Sequence, residues 1–185
     1  MKYTPLIAAL GLMPGAALAH SGPHGLGSFG SGVAHPLGGA DHLLAMLVLG
    51  VLATQIGGRA MWALPSTFVL AMLAGGIAGA AGWVFPAVEP MILASVMVLG
   101  AMVALVRQPG LPVLIGAVAL FGAAHGWAHG AEGPAQGLVA YSTGFVLATA
   151  LLHAAGLALG RAAPALALRL TGAGTVLAGL VLAVA

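Results

Sequence analysis

Residues 39–56 read GADHLLAMLVLGVLATQI. An aspartate and a histidine stand at the head of a run with no polar side chain from Leu43 to Ala53. A helix rises about 1.5 Å per residue, so about 20 apolar residues cross the hydrocarbon core of a bilayer. The stretch therefore reads as a transmembrane helix with ionisable groups at its start. Such groups are costly at membrane depth and tend to mark function.

Comparable apolar stretches follow along the chain. They run from about Met61 to Phe85, Pro90 to Val106, Leu111 to Gly130, Gln136 to Leu159 and Pro164 to Val184. The breaks between them carry turn chemistry: Gly57-Gly58-Arg59, Pro86 to Pro90, Arg107-Gln108-Pro109-Gly110, Glu132-Gly133-Pro134, and Gly160-Arg161 before Pro164. Composition agrees. Of 185 residues, 61% are hydrophobic and 4% charged, with a mean hydropathy of +1.13. Soluble proteins carry about 25% charged residues, so lipid must cover most of this surface.

The first residues read as a signal peptide. Lys2 supplies the positive start, Leu6 to Leu12 a short apolar core, and Ala17-Leu18-Ala19 a small-x-small cleavage site. Cleavage leaves His20 at the mature N-terminus on the outer face. Arg59, Arg107 and Arg161 fall in alternate connections and Glu89 and Glu132 in the others. By the positive-inside rule the arginines face the cytoplasm, with Arg169 snorkelling to the same side. The expectation is an all-α, polytopic protein of a bacterial inner membrane. Residues 1–19 are the signal peptide, and residues 20–185 form six transmembrane helices, N-out and C-out. Three spans in each sense permit an inverted three-plus-three repeat.

Several functions are excluded. Five basic side chains are too sparse for a nucleic-acid surface. Without cysteine there is no disulfide, thiolate site or thiol nucleophile. No glycine-rich phosphate loop is present, so the chain hydrolyses no ATP. The glycines of the stripes Gly75/Gly79, Gly122/Gly126/Gly130 and Gly156/Gly160 read as helix-packing positions, within one chain or in a homo-oligomer.

Seven histidines against three acids is an unusual balance in a membrane chain. His35, Asp41 and His42 lie just before and inside the first span. His125, His129 and Glu132 lie at the end of the fourth. The expected topology puts both groups at the outer face, with His153 alone at mid-membrane. At about 100° per residue, His125 and His129 are offset by roughly 40° and one turn, and Glu132 returns to the same face. Asp41 and His42 diverge by about 100°; one can bind an ion while the other orients a ligand. His35, before Pro36 and Gly38-Gly39, is expected in non-helical backbone that folds back towards them.

Imidazole with carboxylate suits nickel, cobalt, zinc and copper(II). His153 alone reads equally well as a packing residue. His20 and His24 read first as a polar tail, although a freed amine and the His20 imidazole are both metal ligands. Met91, Met97 and Met102 read as packing, and Trp62, Trp83 and Trp127 as interfacial anchors. Two other functions stay open: a haem-binding electron carrier, with histidines on facing helices, and a membrane metalloenzyme, with Asp41 or Glu132 as base.

His35-Pro36-Leu37-Gly38-Gly39-Ala40-Asp41-His42 and His125-Gly126-Trp127-Ala128-His129-Gly130-Ala131-Glu132 resemble the two signatures of the HupE/UreJ family of nickel permeases. Leu152-His153-Ala154-Ala155-Gly156 resembles that family's fifth helix. The resemblance implies six helices after a cleaved signal peptide. It also implies nickel or cobalt uptake linked to hydrogenase or urease maturation; no prosthetic group is expected. Carried over by position, His35, Asp41, His42, His125, His129 and Glu132 handle the metal. The spacing here is His-x5-Asp-His, not the His-x4-Asp-His of the larger nickel–cobalt permease family.

Overall fold

The computed structural model describes residues 27–134 and 136–184. The expected signal peptide, His20 and His24 lie outside the described residues. Within them the chain is helical, with no strand: α1 (Gly27–Gly38), α2 (Ala40–Ile56), α3 (Ala60–Ala80), α4 (Val88–Leu105), α5 (Leu111–Glu132), α6 (Leu138–Ala162) and α7 (Ala165–Val184). The last five are long and apolar enough to cross a membrane. The pair α1 and α2, bent by 78°, makes a sixth candidate when counted as one broken span.

The breaks form where the turn residues stand. Gly57 and Gly58 take φ of 75° and 53°, a region that admits glycine at no steric cost. Gly137 does the same, at φ 73°, before α6. Pro112 sits in the first turn of α5, where its missing N–H leaves no hydrogen bond unmade. α3 stops at Ala80, short of the Phe85 expected from hydropathy. The chain turns at Gly82 (φ 73°), and the Trp127 indole N–H holds the loop by donating to the Trp83 carbonyl at 2.7 Å.

One expectation is corrected. His35 is helical: it lies on α1, one residue before Pro36. Proline inside a helix removes a backbone donor, but α1 is fastened along its side to α6. A side-chain carbon on Gly32 would overlap the Tyr141 carbonyl, and one on Gly144 would overlap the Phe29 carbonyl. Backbone-to-backbone packing thus holds the helix through the proline, and the chain bends at Gly39 instead.

α2 is the central helix. Its residues Ala45, Met46, Val48, Leu49, Val51, Leu52 and Ala53 are all buried, and it packs against α1, α3, α4, α6 and α7. The outer faces are apolar and exposed, for example Leu70, Ile77, Val113, Leu151, Leu170 and Leu177. Packing inside the bundle cannot explain that surface; a lipid solvent does.

The glycine stripes are packing positions, as their spacing implies. Gly122, Gly126 and Gly130 on α5 face Phe68, Met72 and Gly76 on α3, while Gly75 and Gly79 face Ala123 and Trp127. Gly50 on α2 meets Gly156 on α6. At each of these contacts an added methyl would run into the partner's backbone. Small residues permit this approach, and van der Waals packing then holds the helices where no hydrophobic drive exists. The two pairs, α3 with α5 and α2 with α6, exchange when first is matched with fourth span and second with fifth. An inverted repeat has that relation.

The arginines share one end of the bundle. Arg161 Nη2 lies 3.4 Å from the sulfur of Met61 at the start of α3. Arg169 Nε donates to the Ala104 carbonyl at the end of α4, at 3.0 Å.

Candidate metal centre

The opposite end holds His35, His42, His125 and His129. The 78° bend at Gly39 turns the end of α1 across the start of α2. Gly39 takes an extended backbone and has no room for a side chain. A methyl there would stand 2.9 Å from Asp41 Oδ1 and 3.2 Å from His42 Nδ1.

Asp41 serves two donors. Its Oδ1 accepts the His42 backbone N–H at 2.8 Å, satisfying one of the unpaired amides of the first turn. The same oxygen lies 2.8 Å from His42 Nδ1. A carboxylate only accepts, so Nδ1 carries the proton and Nε2 is left with its lone pair. This is the carboxylate–histidine pairing that fixes the tautomer of metal-ligating imidazoles.

The free nitrogen meets α5. His42 Nε2 and His129 Nε2 stand 2.7 Å apart. Since His42 Nε2 is the acceptor, His129 donates. Around this pair the other rings pack edge to face: His35 with His129 at 4.5 Å between centroids, His42 with His125 at 4.7 Å, and His35 with His42 at 6.1 Å. Four of the predicted histidines, from three helices, thus meet in one cluster, with Asp41 behind them. Among the described residues no three His, Asp or Glu side chains converge on a single ion position as they stand. The His42–His129 pair is joined by a hydrogen bond.

Two predicted residues stand apart. Glu132 does fall on α5, as expected, but its side chain is exposed and makes no hydrogen bond or ion pair among the described residues. His153 is buried on α6, and neither of its ring nitrogens has a hydrogen-bond partner. The Phe68 ring lies 5.3 Å from both His125 and His153 and separates the cluster from the deeper histidine.

Four residues of the site escaped the sequence reading. Phe145 packs on His129 at 4.3 Å and on His35 at 5.9 Å, and Tyr141 on His35 at 5.9 Å. Each such aromatic contact contributes about 0.5–1.5 kcal/mol beyond burial. Tyr141, Phe145, Thr149 and His153 recur every four residues, and that stripe was the available signal. Phe68 is the third. The fourth is Ser95 on α4, whose hydroxyl lies 3.0 Å from His125 Nε2. Nothing in its apolar surroundings singles it out.

Beside the cluster, a cleft of about 530 Å³ separates α3 and α5 from α6. His129 and Tyr141 line its wall with Met72, Gly76 and Phe145.

The family described as HupE / UreJ protein matches residues 8–182. The chain is also similar to Protein HupE of Rhizobium leguminosarum bv. viciae, at 40% identity over 99% of this chain and 97% of the relative. No solved structure gives a significant match. A family match over nearly the whole length, with both histidine motifs inside it, places the chain: it belongs to the HupE/UreJ family.

Proposed function

We propose that this protein carries a divalent transition metal ion, nickel first and cobalt next, across the bacterial inner membrane into the cytoplasm. The observation that carries this reading is the His42–His129 pair. Its two Nε2 atoms are 2.7 Å apart, and Asp41 holds the far nitrogen of His42. The HupE/UreJ family is a transporter-type family associated with nickel and cobalt, and nitrogen donors suit both ions as well as zinc and copper(II).

The histidine end of the bundle faces outward, N-out and C-out, with the arginines at the cytoplasmic end. A hydrated ion approaches past Glu132. His42, His129, His35 and His125 replace its water, and the ion takes the place of the hydrogen bond between His42 and His129 as the His129 ring gives up its Nε2 proton and takes one at Nδ1. His153 offers the next nitrogen donors further in. A membrane potential supplies about 2.3 kcal/mol per charge per 100 mV, and twice that for a divalent ion. The delivered metal serves maturation of a nickel enzyme such as a hydrogenase or urease.

A bis-histidine haem does not fit the central pair. Nitrogens 2.7 Å apart leave no space for a porphyrin and its iron between them.

The test is uptake of radioactive nickel by cells expressing the protein, with cobalt, zinc and copper as competitors. Saturable uptake that His42→Ala abolishes, with the variant still folded in the membrane, is the expected result. Equal uptake by wild type and His42→Ala overturns the assignment.

A further inference from the structure

The Ser95 hydroxyl has one proton, and its place is given. Oγ lies 2.6 Å from the Ile92 carbonyl, which can only accept. With that proton committed, Oγ turns a lone pair to His125 Nε2 at 3.0 Å. His125 Nε2 must then be the N–H. The other ring nitrogen, Nδ1, is buried and has no hydrogen-bond partner. Were it protonated, it would be a buried donor with no acceptor. Ser95 and His125 are both fully buried.

A buried polar atom without a partner is costly, and in a native structure it calls for a reason. Here the bare nitrogen belongs to a ring packed at 4.7 Å, edge to face, on His42. His42 itself has a tautomer fixed from behind by Asp41.

We propose that Ser95 is a positioning residue for the metal path, holding His125 in its Nε2–H tautomer so that Nδ1 presents a lone pair to the passing ion. The inference rests on the transport reading above. Ser95 does for His125 what Asp41 does for His42, with one difference. A neutral hydroxyl replaces the carboxylate, so a second donor is added without a second buried negative charge. That suits an ion that has to leave again, because each added anion would deepen the well it sits in.

The experiment uses the full-length protein in detergent or nanodiscs, labelled with 15N-histidine, together with nickel uptake in cells. In wild-type protein the His125 ring nitrogens show the Nε2–H pattern, identified by its loss in His125→Gln. Ser95→Ala gives a mixture of tautomers and raises the nickel concentration for half-maximal uptake about tenfold to a hundredfold. Ser95→Thr, which keeps the hydroxyl, restores both. A purely packing serine would leave the tautomer and the half-saturating concentration unmoved in Ser95→Ala. That result, or an Nδ1–H pattern in wild type, overturns the proposal. A wild type that takes up no nickel yet shows the Nε2–H pattern, lost in Ser95→Ala, refutes transport and leaves the tautomer assignment standing.

Discussion

His42 Nε2 lies 2.7 Å from His129 Nε2, although the two residues are 87 positions apart in the chain. One proton is shared between a ring whose tautomer Asp41 fixes and a ring that adapts. Asp41→Asn replaces the acceptor by an amide that can present either a donor or an acceptor to Nδ1. Nickel uptake by this variant is expected to need about tenfold to a hundredfold more metal for half-saturation. The amount of folded protein should stay at the wild-type level. Concentration dependence of uptake, normalised to protein in the membrane, checks this.

His42 and His129 act as one unit in the proposed path. Each alanine variant should reduce uptake to background, and in purified protein the double variant should bind nickel no more weakly than either single one. Groups that work together are strongly non-additive. Independent, multiplying losses in a double-mutant cycle would show that the two rings serve separate stations.

His153 separates two roles cleanly. Both of its ring nitrogens are buried and unpaired, so His153→Leu removes polar atoms that cost stability and keeps an apolar body of similar size. Thermal stability in detergent is expected to hold or rise, by about 1–3 kcal/mol at most, while nickel uptake falls. Unchanged uptake with raised stability would return His153 to the role of a packing residue.

Gly126 and Gly116 lie on the same helix and should behave oppositely. A methyl on Gly126 would overlap the Met72 carbonyl, whereas nothing lies within 4 Å of one on Gly116. Gly126→Ala should force α3 and α5 apart and reduce folded protein. Gly116→Ala should stabilise the helix by about 0.5–1 kcal/mol. Melting of the two variants side by side by fluorescence-detected size exclusion measures both.

Much of the fold could be read from the chain because lipid makes hydropathy decisive. The spans from α3 onward begin and end within a few residues of the breaks set by glycine, proline and arginine. The packing role of Gly122, Gly126 and Gly130 was also legible from their spacing, but their partner was not. A small-residue stripe says that some backbone comes close, without saying which. α1 escaped because Pro36 and a glycine-rich composition speak against a helix, and only its contact with α6 overrides them. At the site, the residues with rare chemistry in apolar surroundings were visible, namely His35, Asp41, His42, His125 and His129. Glu132 lies on the expected helix but outside the cluster, because helical phase places a residue around an axis and not next to a partner. Ser95 gave no signal, since a serine in a membrane helix ordinarily bonds its own backbone.

The glycine contacts sort the helices into three groups, and α4 with α7, joined at Gly100 and Gly172, is one of them. α3 and α5 touch backbone to backbone and carry His125 and His129. α1, α2 and α6 are fastened in the same way and carry His35, Asp41 and His42. The central pair therefore spans a seam between two stiff plates, and the cleft beside His129 runs along that seam, where α3 and α5 face α6. Sliding or rocking of one plate on the other would part His42 from His129 without opening a single helix. The grip on the ion would then be set by how the plates sit rather than by the bending of any one of them.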